Sequence, residues 1–236
     1  MRTITYKSLR DGAATRLGID PSTDLQANTK LAIAEYATSA IRSGWEFTDW
    51  NDICLLEQRT FPSGENVIAF DQSGQTSIGE VFAAYSNDPT TDIAARKIAY
   101  GLSEEGVQFH PDLDYSTIWL KFRKLAPSFS GLDYASATTY AVGDVVYYDT
   151  TGECYKCILA STGNLPTNTT YWLKQDVPYF LAEYAKVQIY SDLLAEDGQI
   201  DKAQFQMAKA ESLLVFASDK ATIQQGQFSR FNVTTN

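Results

Sequence analysis

The chain is poor in the residues that catalysis and metal binding use most. It has one histidine, His110, in 236 residues. A Ser-His-Asp or Cys-His triad would have to use that residue, and a multi-histidine metal site cannot be built within one chain. Three cysteines cannot all pair within a chain, so no disulfide framework is expected, and a reducing cytoplasm is the expected compartment of synthesis. Long apolar runs are missing too. None approaches the ~20 residues needed to span a bilayer, and the opening Met-Arg-Thr-Ile-Thr-Tyr-Lys lacks the apolar stretch of a signal peptide. Positive charge is scarce: 19 Lys and Arg stand against 29 Asp and Glu, a formal charge of −10. That argues against a dedicated nucleic-acid binder, which needs a basic face to neutralise phosphates. It does not exclude a surface that DNA passes without sticking.

Aromatics are abundant, with 14 Tyr and 12 Phe, and favour β-structure or large packed interfaces. The two ends of the chain carry helical periodicity. Tyr6, Leu9, Ala13 and Leu17 share a face, with Gly18 as a stop. Pro21-Ser22-Thr23-Asp24 is a helix-start cluster. Ile33, Ala37, Ala40 and Ile41 then predict a helix over roughly 24–43, ended by Gly44. Phe180, Tyr184, Val187 and Leu194 mark another stripe, closed by Gly198. Ile200, Ala203, Met207, Ala210, Leu214, Ala217 and Ala221 form a heptad seam, read as one half of a helical hairpin. The middle differs. Segments at 52–58, 66–70, 78–85, 97–100, 106–109 and 117–123 read as short strands of a small antiparallel sheet or barrel.

Few residues suggest chemistry. Cys154-Tyr155-Lys156-Cys157 is a C-x-x-C, but only Cys54 and His110 remain to complete a zinc site, and the flanks are strand-like. Packing cysteines are the expectation. His110-Pro111-Asp112 matches the loop tripeptide of J-domain co-chaperones, yet it follows a strand and reads as a turn. Glu104-Glu105 and Asp112/Asp114 are acidic pairs in solvated loops. No Walker loop, G-x-S-x-G or paired-carboxylate glycosidase context is present. No enzyme, cofactor or metal is expected.

Residues 134–175 resemble the small carbohydrate-binding modules of chitinases at Tyr140, Gly143, Asp144, Val146, Tyr148, Tyr155, Pro166 and Trp172. The resemblance implies a small β-module whose aromatics meet sugar. Tyr140, Tyr155 and Trp172 are the residues to place, as module core or as sugar contacts. One departure matters. Chitin-binding members have exposed aromatics after the central Tyr, where this chain has Cys157-Ile158-Leu159-Ala160-Ser161.

The frame around that segment resembles the head-to-tail adaptor (connector) proteins of tailed bacteriophages. Residues 1–58 and 179–236 carry the resemblance, with Ala27-Asn28-Thr29-Lys30 to Trp45 as the second helix and Asp197-Gly198-Gln199 leading into the seam. It implies a structural virion protein of the neck, made in the host bacterial cytoplasm. Such proteins form a homo-oligomeric ring, commonly twelvefold, that docks on the portal protein, meets a downstream tail or neck protein and continues the DNA channel. The polar tail from Gln224 would be the docking arm, with Phe228, Arg230 and Phe231 as contacts. The expected fold is α+β. A discontinuous helical domain (1–45 with 176–222) carries an antiparallel β-domain (46–131) and a small β-module (132–175), with a free C-terminal arm at 223–236. The alternative is a carbohydrate-binding tail or receptor-binding protein, whose partner would be a glycan. No membrane partner is expected.

Overall fold

The computed structural model describes residues 2–21, 25–62, 65–72, 75–112 and 115–231, with 224–231 traced by backbone alone. The fold is α+β, and the chain divides into two compact units. One is built from residues 1–48 and 127–236, the other from 49–126.

The first unit opens with strand β1 (Thr3–Ile4) and helix α1 (Tyr6–Arg16). Thr5 starts the helix, its hydroxyl accepting from the Ser8 amide at 3.1 Å. Gly18 stops it in the left-handed region (φ +78°), where the Gly18 and Ile19 amides return to Thr15 and Ala14 carbonyls. Helix α2 (Ala27–Glu46) follows. Ser22, Thr23 and Asp24 of the helix-start cluster lie outside the described residues. The predicted apolar face of α2 is buried through Ile33, Ala37, Ala40 and Ile41.

The second unit holds seven strands: β2 (Cys54–Thr60), β3 (Val67–Ala69), β4 (Ile78–Tyr85), β5 (Lys97–Ile98), β6 (Gly101–Leu102), β7 (Gly106–Gln108) and β8 (Thr117–Lys124). They pair antiparallel as a four-stranded sheet, β2-β8-β4-β5, and a three-stranded sheet, β3-β7-β6. Alternation along β8 sends Ile118, Leu120 and Phe122 into a core shared with Ile68, Val107 and Phe109 from the smaller sheet. Buried Arg59 lies over the Phe122 ring. Its guanidinium donates to Glu57, Gln75 and the Thr76 carbonyl, so this buried charge is paired.

The chain re-enters the first unit through β9 (Leu132–Asp133), β10 (Thr139–Tyr140), β11 (Val145–Tyr148), β12 (Glu153–Cys157), β13 (Ser161–Thr162), β14 (Trp172–Gln175) and β15 (Val177–Pro178). β14-β12-β11-β9 form one sheet, β10 pairs with β13, and β15 pairs antiparallel with β1. The 132–175 segment therefore shares a unit with the helices. Aromatic packing explains this: Tyr6 of α1 stacks on Phe129 at 5.3 Å and meets Tyr147 edge-on at 5.7 Å.

Helices α3 (Tyr179–Glu196) and α4 (Ile200–Phe231) complete the unit. α3 is central, packed by α1, α2 and α4. It therefore buries far more than one stripe, including Leu181, Ala185 and Ile189. This position also corrects the end expected for α2. A Cβ on Gly44 would stand 3.0 Å from Leu181 Cδ2 and from Tyr184 Cε1, so this glycine admits α3 to close approach and the helix runs on to Glu46.

α3 and α4 form the expected hairpin, turning at Gly198 (φ +75°). Ser191 Oγ ties it by donating to the Ala203 carbonyl at 2.7 Å. Ala203, Ala210 and Leu214 of the seam are buried, whereas Ile200 and Met207 are exposed. The arm expected from 223 begins as a continuation of α4, whose backbone stays helical to Phe231. Ala, Lys and Gln favour helix, and extending an existing helix adds hydrogen bonds without a new nucleation cost.

Candidate functional site

The module-like segment is held by its own aromatic cluster. Tyr140, Tyr155 and Trp172 are brought together and buried with Val146 and Cys157, with Tyr134 and Tyr148 packed against them. Tyr140 lies 5.2 Å from Trp172 and 5.7 Å from Tyr134, ring centre to ring centre. Each polar tip has a local partner. Tyr140 Oη accepts from the Ala135 amide at 2.8 Å, Trp172 Nε1 donates to the Asn164 carbonyl at 3.1 Å, and Tyr155 Oη donates to Thr151 Oγ1 at 3.2 Å. Asp144 receives the Ala141 amide at 2.7 Å and fixes the turn before β11. All three rings are buried against one another, so they form the core of this segment. The exposed positions after the central tyrosine are Ile158 and Leu159, which are aliphatic.

Cys154 and Cys157 are both buried on β12. Burial raises both thiols; the neighbouring Glu153 carboxylate adds to this at Cys154 and Asp144 at Cys157. These are poor nucleophiles at neutral pH. Among the described residues, no group of three or more His, Cys, Asp or Glu side chains could hold a metal ion. His110 is exposed in a turn, where Nδ1 accepts the Asp112 amide at 3.2 Å. Glu104 and Glu105 are exposed between β6 and β7, and Asp114 lies outside the described residues.

A cleft of about 520 Å³ opens where α1 meets the module-like segment. Lys7, Arg10 and Lys30 line it opposite Asp133 and Asp149, with Tyr147 and Tyr148 on its wall. Lys30 Nζ lies 3.9 Å from Asp133, and Arg10 pairs with Asp11 at 3.0 Å while its guanidinium caps the Tyr147 ring at 4.9 Å. Burial pushes the Tyr147 phenol up to about 12, so it stays protonated. The cleft's opposite charges sit close to one another, and the Lys30–Asp133 pair links α2 to the module-like segment within the unit.

Phe228, Arg230 and Phe231 lie on the last turns of α4, where only the backbone is described. The exposed apolar side chains Phe205, Phe216 and Ile223 also lie on α4, away from the predicted seam. The seam drew attention to one face of this helix. The signal for the other was the spacing of these three residues, eleven and then seven positions. Among the described residues, no helix is long and apolar enough to cross a membrane.

No protein-family model matches this chain, and comparison with curated proteins finds no match.

Proposed function

We propose that this chain is a structural protein of the phage virion neck: a ring-forming head-to-tail adaptor that docks on the portal protein, meets a downstream tail or neck protein and continues the DNA channel. The observation that carries this reading is the helical frame. Two N-terminal helices pack on α3, and α4, 32 residues long, projects the C-terminal segment. At 1.5 Å per residue, α4 measures about 48 Å against about 27 Å for the 18 residues of α3. The last turns of α4 are thus carried beyond the hairpin, as a docking element requires.

The role is structural rather than enzymatic. A charge of −10 per subunit suits a wall that phosphate passes without being held. Assembly in the host cytoplasm would place the protein in the neck, as a ring commonly of twelve copies in such adaptors. The carbohydrate-binding alternative, a tail or receptor-binding protein that meets a glycan, rests on the chitinase-like pattern at 134–175. Burial of Tyr140, Tyr155 and Trp172 weighs against it.

The test is co-sedimentation of the full chain with portal rings. Deleting 224–236, or substituting Phe228, Arg230 and Phe231 together by alanine, should abolish it. Unchanged binding by the truncated protein would sink the docking role. Retention of the intact protein on a cell-wall glycan panel, without portal binding, would favour the alternative.

A further inference from the structure

Helix α4 is packed by its own subunit on one side only. Ala203, Ala210 and Leu214 face α3, yet among the described residues six large apolar side chains of the same helix stand in solvent. They fall into two ridges. Phe205, Phe216 and Ile223, at 70%, 70% and 64% exposure, repeat at eleven and seven positions, close to whole numbers of turns. Ile200, Met207 and Val215 form the second ridge, at 51%, 44% and 48% exposure. At 3.6 residues per turn the two ridges lie roughly 130° apart around the helix. α4 therefore presents three apolar faces, and its own subunit covers one.

The ridges differ in charge. Exposed Lys202, Lys209 and Lys220 border the phenylalanine ridge. Glu211 sits within the other ridge, on an acidic side of the unit. Glu211 and Asp192 both act on Tyr184, whose phenol is raised first by burial and then by those two carboxylates. Glu196, also on α3, accepts the Tyr36 hydroxyl at 3.2 Å, and Asp192 acts on the same tyrosine. Asp201 and Asp219 are exposed along the other flank of the phenylalanine ridge, on the side toward the second ridge.

We propose that α4 is the subunit–subunit interface. The lysine-bordered Phe205–Phe216–Ile223 ridge of one copy packs on the Ile200–Met207–Val215 ridge of the next, which bears Glu211. The occupant is a second copy of this chain. The phenylalanine ridge offers aromatic bulk with three lysines along one flank, and the facing ridge offers aliphatic surface with the Glu211 carboxylate. Two unlike faces on one helix give a head-to-tail contact, and such contacts propagate from copy to copy, closing into a ring where the rotation between neighbours closes and into a filament where it does not. A self-complementary face would stop at a dimer. The inference rests on the reading of this chain as a ring subunit and supplies the interface for that ring.

The test uses the full chain. Val215→Cys and Phe216→Cys are prepared separately, oxidised alone and as a mixture, and compared with the parent protein to account for Cys54, Cys154 and Cys157. Both positions are exposed, so folding is checked by circular dichroism and should be unchanged. The expected result is a disulfide-linked dimer in the mixture and none in either variant alone. In sedimentation velocity, Glu211→Lys should lower the assembled fraction at least tenfold, and adding Lys209→Glu with Lys220→Glu should restore it. A cross-link within one variant alone would establish a self-complementary contact and overturn the proposal. So would a mixture that does not cross-link, whether the protein is monomeric or assembled, or an assembled fraction indifferent to Glu211→Lys. Portal binding is read separately. Rings that cross-link through α4 but ignore portal would overturn the neck role and leave this interface standing. Portal-bound rings without the cross-link would do the reverse.

Discussion

Glu153 Oε2 accepts the backbone N–H of Tyr6 at 3.1 Å, across 147 positions of sequence. The same carboxylate pairs with Lys174 Nζ at 2.9 Å, and the neighbouring Lys7 amide donates to the Gly152 carbonyl at 2.8 Å. One buried acid thus serves the first turn of α1 and the β12–β14 pair. Glu153→Ala should destabilise the protein by about 2 kcal/mol, because it strands a buried donor. Glu153→Gln keeps an acceptor for Tyr6 and should cost about half as much. Urea unfolding of both variants checks this, and equal losses would refute the acceptor role.

Gly44 makes a prediction of opposite kind, since nothing is lost but space. Gly44→Val should cost about 2 kcal/mol by forcing Leu181 and Tyr184 away. Gly44→Ala should cost much less, because the gain in helix propensity, about 1 kcal/mol, offsets the crowding. The check is a shifted urea midpoint at unchanged slope. Valine tolerated without loss would mean that α2 and α3 are not in close contact.

Asp192 carries the pH dependence. Burial raises its carboxyl above the usual range, and the hydrogen bond from Gln188 at 2.9 Å only partly opposes this. The folded state therefore holds this proton more tightly than the unfolded chain does. Stability contributed by the group is present below the ordinary carboxyl range and is lost as pH rises through the raised folded value. Asp192→Asn should make the protein more stable at pH 7 and leave it little changed under strongly acidic conditions. Thermal unfolding at both pH values measures this, and a loss at pH 7 would reverse the assignment.

The cysteines should behave as core residues. Cys54 is half-buried, and burial also raises its thiol. At neutral pH a thiol reagent should reach Cys54 slowly, and Cys154 and Cys157 only on unfolding. Rapid labelling of the last two in the native protein would contradict their placement on β12.

Much of the local structure was legible in the sequence. Leu9 and Ala13 in α1, Ile33 to Ile41 in α2 and the alternation along β8 announce themselves through spacing, because 3.6-residue and two-residue periods map directly onto a buried face. Gly18 and Gly198 mark stops for an equally local reason. The C-x-x-C could be read as packing because residues three apart on a strand face opposite ways.

Tertiary structure decided the rest. Gly44 looks like a helix end until α3 is placed against it. The central burial of α3 hides its periodicity, since a helix covered on most sides has no single apolar stripe. Tyr6 and Glu153 carry no sequence signal of their partnership. Met207 reads as seam and Phe205 as surface by period alone. Only the packing of α3 on α4 determines which apolar residues of that helix are covered and which stay exposed.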